Sequence, residues 1–282
     1  MKKFISAVGV VCVAGSLFAG SLGASDVVFI SGTGGSVRIS LAGATIVSYT
    51  PCGGKDVFFK AYGFLAESKA FPHGGLPLAW PWFGRRDGSN DINTIHGFAR
   101  NLRWEIQNHS VSNAILSATS SAETRNLYPY DFKLVYSIDI GAALSVALEM
   151  TNTGTGVMPV GAGFHPFFRV SNNTNVVLSG CEGVSRLASG TDMDCPPGTG
   201  RYLISDCETG RRIEICATGT DGVCVWNDYA QWPEVYAKGG GTEFCCVEPI
   251  LCGTDGVGVR LNPGQSAKIS MSIRVLEDRE VR

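Results

Sequence analysis

From Val37 onward, apolar residues recur at every second position over much of the chain. Phe132, Leu134, Tyr136, Ile138 and Ile140 fall on one side of an extended segment, and Leu144, Val146, Leu148 and Met150 do so in the next. Ile269, Met271, Ile273 and Val275 repeat the pattern near the C-terminus, with mostly polar or small residues between them. A period of two is that of a strand with one face on a core. Asn152-Thr-Gly and Asn262-Pro-Gly supply turn chemistry between runs. No long stretch holds a 3.6-residue period, and neither a repeat nor an interdomain linker is visible. The pattern predicts an all-β, mostly antiparallel sandwich formed as one domain over residues 25–282.

Two segments break the alternation, Phe71 to Arg103 and Asn227 to Gly241, both rich in glycine, proline and aromatic residues. Long irregular segments inside a compact β fold are more often functional than accidental. Two shorter stretches stand out beside them, Phe164-His165-Pro166-Phe167-Phe168-Arg169 and Phe244-Cys245-Cys246-Val247-Glu248-Pro249. Each sets an ionisable residue among apolar neighbours and next to a proline, where the backbone has little freedom. A histidine and a carboxylate in partly dry surroundings suit general acid/base work near neutral pH. Taken singly, His165 also fits a hydrogen-bonded core histidine, and Glu248 a strand-end ion pair.

Composition narrows the partners. With 282 residues, 44% hydrophobic and 17% charged, the chain can bury one large core. A net charge of −2 without any Lys/Arg-rich run speaks against nucleic acid or an anionic membrane. Residues 1–24 carry Lys2 and Lys3, then an apolar stretch ending in Gly20, Gly23 and Ala24, the pattern of a secretory signal peptide. That stretch is short and glycine-rich for a membrane span. Cleavage would give a periplasmic or secreted protein with no membrane attachment, and retention a cytoplasmic one. Ten cysteines are many for this length. None forms a Cys-x-x-Cys pair and no histidine has finger-like spacing from them, which argues against a structural zinc site. Export would permit disulfides among Cys181, Cys195, Cys207, Cys216, Cys224, Cys245, Cys246 and Cys252, while small buried hydrophobes are the alternative reading.

Several motifs occur in a fixed order: Gly74-Gly75-Leu76-Pro77, Pro81-Trp82-Phe83-Gly84, His96-Gly97-Phe98-Ala99-Arg100 and Trp104-Glu105. They are followed by the His165 stretch, Val225-Trp226-Asn227 and Cys246-Val247-Glu248-Pro249. Together, from about Val37 to about Val275, they resemble the aldose 1-epimerase superfamily, and its hexose-6-phosphate mutarotase branch most of all. The resemblance implies a galactose-mutarotase-like β-supersandwich, a monomer, with a small-molecule sugar or sugar phosphate as partner. It implies interconversion of α and β anomers without metal or cofactor, Glu248 being the base and His165 the acid. It makes His96 a second active-site histidine, bonding sugar hydroxyls or the ring oxygen. Arg100 is the best candidate to grip a 6-phosphate or a hydroxyl pair, because a guanidinium donates in a planar fork. His73 and Arg85 are possible supplements; Trp226, with Trp80, Trp82 and Phe83, offers stacking surfaces, and Asp228 lies in the neighbouring loop.

The departures from the branch also carry information. His73 stands where an arginine usually precedes the Gly-Gly, Ile95 where a glutamine often precedes the His-Gly, and Asp228 where a proline follows the asparagine. The lost fixed charge and the export-like N-terminus point to a non-phosphorylated sugar, or to an exported carbohydrate-binding protein without catalysis. A hydrolase would need a second carboxylate, for which Asp228 and Glu234 are the loop candidates. A cysteine nucleophile, Cys245 or Cys246, would need a histidine within reach.

Overall fold

The computed structural model describes residues 26–61, 74–85, 95–187, 191–227, 241–253, 256 and 258–276. Its frame is an antiparallel eight-stranded sheet. The strand order is Val176–Ser179, Arg201–Asp206, Arg212–Thr218, Ser266–Leu276, Leu144–Asn152, Phe132–Ile140, Asn113–Thr119 and Glu105–His109. A second sheet runs Thr191–Cys195, Gly222–Asn227, Phe244–Leu251, Ala162–Phe164 and Leu78–Ala79, and Phe167–Arg169 also pairs with Phe244–Leu251. A three-stranded meander, Val27–Gly32, Gly35–Ser40 and Ile46–Thr50, and a short pair, Met158–Val160 with Val259–Leu261, complete the all-β architecture.

The period-two reading describes the central strands well. Phe132, Leu134, Tyr136, Ile138 and Ile140 are all buried, as are Leu144, Val146, Leu148, Met150, Ile269, Met271 and Ile273. Only Val275 is partly exposed, where the last strand runs towards the sheet end. The strand Phe244–Leu251 departs from alternation because it is covered on both faces and every residue in it is buried. Aromatic packing fills the space beneath the irregular segment. Trp80 meets Phe132, Tyr128 and Phe98 edge-on, at centroid separations of 4.4, 5.5 and 5.6 Å.

The predicted turns are tied together by one side chain. Buried Asn152 donates from Nδ2 to the carbonyls of Gly156 and Leu261, and its Oδ1 accepts from the Gly154 amide. It thereby anchors both its own turn and the one that follows Leu261. The structure adds a short helix, Ala122–Leu127, too brief for its period to show in the sequence. Ser121 and Thr124 form a capping box at its start. The nine cysteines from Cys52 to Cys252 are free thiols. Cys245 and Cys246 illustrate why: as neighbours on one strand they point to opposite faces of the sheet and serve as small core residues.

Candidate active site

The two proline-flanked motifs meet because their backbones are cross-strand neighbours. Ala162 and Gly163 pair with Leu251 and Ile250, and Phe167–Arg169 pairs with Cys246, Cys245 and Phe244. Continuing that register across the gap sets His165 opposite Glu248. Pro166 on one side and Pro249 on the other lack an N–H, so the ladder opens at this point without losing its register. His165 Nδ1 lies 3.4 Å from Glu248 Oε2. The imidazole stacks on Phe167 at 4.7 Å and meets Trp226 edge-on at 5.8 Å. The two residues that the sequence motifs paired are thus neighbours in space.

Glu248 is 1% exposed. Burial pushes its carboxyl well above the usual carboxylate range, and the charges of Asp192 and Asp194 push it further. The register explains the second effect: Asp194 stands opposite Cys224, which stands opposite Glu248, so the three share one face across adjacent strands. These two aspartates were not singled out from the sequence. Their strand offered no alternation to read, because Asp192, Met193 and Asp194 are all exposed. Cys246 is the third group beside the pair. Its Sγ and the ligand atoms of His165 and Glu248 all lie within 4.8 Å of one another. Burial and the Glu248 charge push its thiol well up, so Cys246 is a poor nucleophile despite its histidine neighbour.

His96 approaches from the irregular segment. Its ring meets His165 edge-on at 5.0 Å and Phe83 at 4.6 Å. The residue adopts a left-handed φ of +61°, a strained conformation held by a pair of backbone bonds with Gly84 and Trp80. The Gly84 amide also donates to His96 Nδ1 at 3.0 Å. Burial and the neighbouring charges of His165, Arg100 and Arg85 hold the imidazole pKa well below its usual value. A neutral ring whose Nδ1 accepts carries its proton on Nε2, so His96 is a fixed hydrogen-bond donor rather than a cation.

The remaining sequence candidates fall out differently. Arg100 is 7% exposed and donates to the Ile95 carbonyl, the backbone group just before His96. Burial lowers its pKa to about 9. That bond ties the buried guanidinium to the loop that carries His96. Arg85 is exposed at the end of the Trp82–Gly84 turn. Trp226 is half-buried against His165, Phe167 and Phe244, whereas Trp80 is wholly in the core and offers no stacking face. His73, Asp228 and Glu234 lie outside the described residues, as does the signal-like segment. No helix among the described residues is long and apolar enough to cross a membrane.

Asn227, at the end of the Val-Trp-Asn motif, secures the floor of the site. Its Nδ2 donates to the Phe244 carbonyl at 2.6 Å and its Oδ1 accepts from Asn173 Nδ2 at 2.7 Å, all fully buried. Replacing Asn227 with alanine leaves both partners unsatisfied and should cost about 1–3 kcal/mol. Urea unfolding of the variant measures this; a change below about 0.5 kcal/mol would show that the network carries no stability.

Comparison with known proteins bears on the fold and the family. A solved mutarotase-like structure from Salmonella typhimurium, whose naming as a mutarotase is provisional, superposes with a TM-score of 0.75 over 90% of this chain and 92% of its own, at 22% identity. The Slr1438 protein of Synechocystis also superposes with a TM-score of 0.75, over 94% of this chain and 99% of its own, at 17% identity. The fold is therefore that of the mutarotase-like β-supersandwiches. The aldose 1-epimerase family model matches residues 26–190, more than half of the chain. The chain belongs to the aldose 1-epimerase family. A Salmonella typhimurium protein provisionally named a glucose-6-phosphate 1-epimerase is 30% identical over 145 residues, covering 50% of this chain and 47% of that protein. The chain thus spans about half the length of that relative. Glu248 lies beyond the family-model match, so its place in the site rests on its own motif and on the geometry above.

Proposed function

We propose that the protein is an aldose mutarotase, with Glu248 as general base and His165 as general acid. The observation that carries this reading is the buried His165–Glu248 pair at 3.4 Å, opposed across a ladder that two prolines hold open. The anomeric hydroxyl oxygen and the ring oxygen of an aldose are bonded to the same carbon. Two proton-transfer groups as close as these can therefore serve both oxygens from one side.

The proton accounting closes on the pair itself. Ionised Glu248 takes the proton from the C1 hydroxyl, protonated His165 gives one to the ring oxygen, and the C1–O5 bond breaks to an open-chain aldehyde. Rotation about C1–C2 turns the other carbonyl face inward. His165 then takes the proton back from the C5 hydroxyl while Glu248 returns one to the carbonyl oxygen. The pair begins and ends with one shared proton, as strongly coupled groups do. His96 supplies a neutral donor for a sugar oxygen, and Trp226 a stacking edge for the apolar face of the sugar.

A neutral aldohexose is the preferred substrate class. The arginine best placed by sequence, Arg100, is buried and engaged with the Ile95 carbonyl, and acidic Asp192 and Asp194 flank the base. Arg85 is the exposed cation whose charge reaches His96. Mutarotation of freshly dissolved α-glucose and of α-glucose 6-phosphate, followed by polarimetry, tests the proposal. The expected result is acceleration, larger with the free sugar. Tight sugar binding with no acceleration would replace the enzyme by a carbohydrate-binding protein, and a clear preference for the phosphate would reassign Arg85 to its recognition.

A further inference from the structure

We propose that His165, Cys246 and Glu248 form a binding site for a borderline-soft divalent cation of the zinc type. One imidazole nitrogen, one thiol sulfur and one carboxylate oxygen lie within 4.8 Å of one another. Cys246 and Glu248 sit two residues apart on one strand, so they project to the same face, and His165 comes from the opposing strand. Three protein ligands of mixed N, S and O type match the preference of Zn2+, which leaves its fourth position to water or to a sugar hydroxyl. Bonds of about 2.0–2.3 Å to such a metal would draw the three atoms inward by roughly 1 Å, within reach of small rotamer adjustments.

A second observation points to a ligand at this place. Glu248 Oε2 is fully buried, and its neighbour His165 Nδ1, at 3.4 Å, is not placed to hydrogen-bond it. A buried polar atom in that state is costly, and a cation satisfies it directly. Calcium and magnesium are poor candidates, because they demand six or more oxygens or near-ideal octahedral geometry and have no use for a thiol. Binding would expel the thiol proton of Cys246, and any proton on Glu248, to solvent while His165 ligates in its neutral form. Since the metal would use the groups assigned to proton transfer, it would exclude sugar chemistry while bound and act as an inhibitor.

The test is a Co2+ titration of protein carrying Cys52→Ser and Cys207→Ser, which removes the two thiols exposed among the described residues. A thiolate-to-cobalt charge-transfer band saturating at one equivalent and displaced by Zn2+ is expected. Cys246→Ser should abolish the band, and Glu248→Gln should raise the half-saturating concentration at least tenfold. No band at millimolar Co2+, or a band that survives in Cys246→Ser, overturns the proposal. Circular dichroism checks that each variant is folded; should Cys246→Ser unfold, an unchanged half-saturation in Glu248→Gln overturns it equally. The readout is absorbance and not turnover, so the metal site and the mutarotase reading can fail separately.

Discussion

Glu248→Gln should leave a folded protein whose mutarotase rate is lower by roughly 10²–10⁴, the usual contribution of a positioned general base. The glutamine keeps the shape of the side chain and removes its ability to accept a proton. The same substitution should raise stability at neutral pH, and the sign follows from linkage. The folded-state carboxyl titrates well above its ordinary value, which in an unfolded chain is about 4.3. Between those two values the folded state binds more protons than the unfolded one, so stability falls as pH rises through that window. Above the folded value the buried charge costs its full penalty. Glutamine has none, so the melting temperature of the variant should exceed that of wild type at neutral pH, and the gap should close as pH drops towards 4. The acid limb of the wild-type rate profile should likewise lie at higher pH than an ordinary carboxylate would give. Retained activity in the variant would remove Glu248 as the base. A melting temperature lowered equally at every pH would mean that the carboxylate holds the fold together.

Gly97→Ala is expected to do the opposite, destroying the fold around the site. Gly97 has a φ of +69°, and an added Cβ would lie 2.0 Å from the Trp80 carbonyl oxygen and 2.7 Å from the Pro81 nitrogen. Those are backbone atoms and cannot turn aside. The Phe98 and Ala99 amides both donate to that same Trp80 carbonyl, so the clash strikes the bonds that seat the histidine loop. The left-handed conformation alone costs about 1–2 kcal/mol for a residue with a side chain. With the steric term added, the loss should exceed about 4 kcal/mol, within the range where single substitutions are exceptional. Expression as insoluble protein, or a two-state urea curve with its midpoint far below wild type, would bear this out. A variant with near-native stability and a normal rate would show that the strands here can separate, and that the position of His96 is less fixed than its bonds suggest.

The sequence revealed the frame and the main pair for different reasons. Strands such as Phe132–Ile140 are covered on one face, and one-sided burial writes itself into the chain as alternation. His165 and Glu248 were visible because each sits in a proline-bounded apolar motif. Their opposition in one ladder was not, since pairing between strands some eighty residues apart leaves no local trace. Asp192 and Asp194 were missed for the same reason: they act through two intervening cross-strand steps. The burial of Arg100 was not legible, because a charged residue in a glycine-rich loop suggests exposure, whereas here it is buried with a bond to the Ile95 carbonyl. The helix Ala122–Leu127 has fewer than two turns, too few for a period to register.

The strand that carries Glu248 lies in the interior of its sheet, between Gly222–Asn227 and Ala162–Phe164, yet it is made after both. A chain emerging from the ribosome must therefore hold the edge at Ala162–Phe164 unpaired while about eighty further residues are added, a delay of several seconds at ordinary elongation rates. Open strand edges in that interval recruit other chains as readily as their own. The late strand must then enter between two neighbours made before it, and its arrival sets Glu248 beside His165. Termination before Phe244 would thus yield a species that lacks both this strand and Ser266–Leu276, the strand between Arg212–Thr218 and Leu144–Asn152, so both sheets would stand open, and such a species is the natural client of a chaperone.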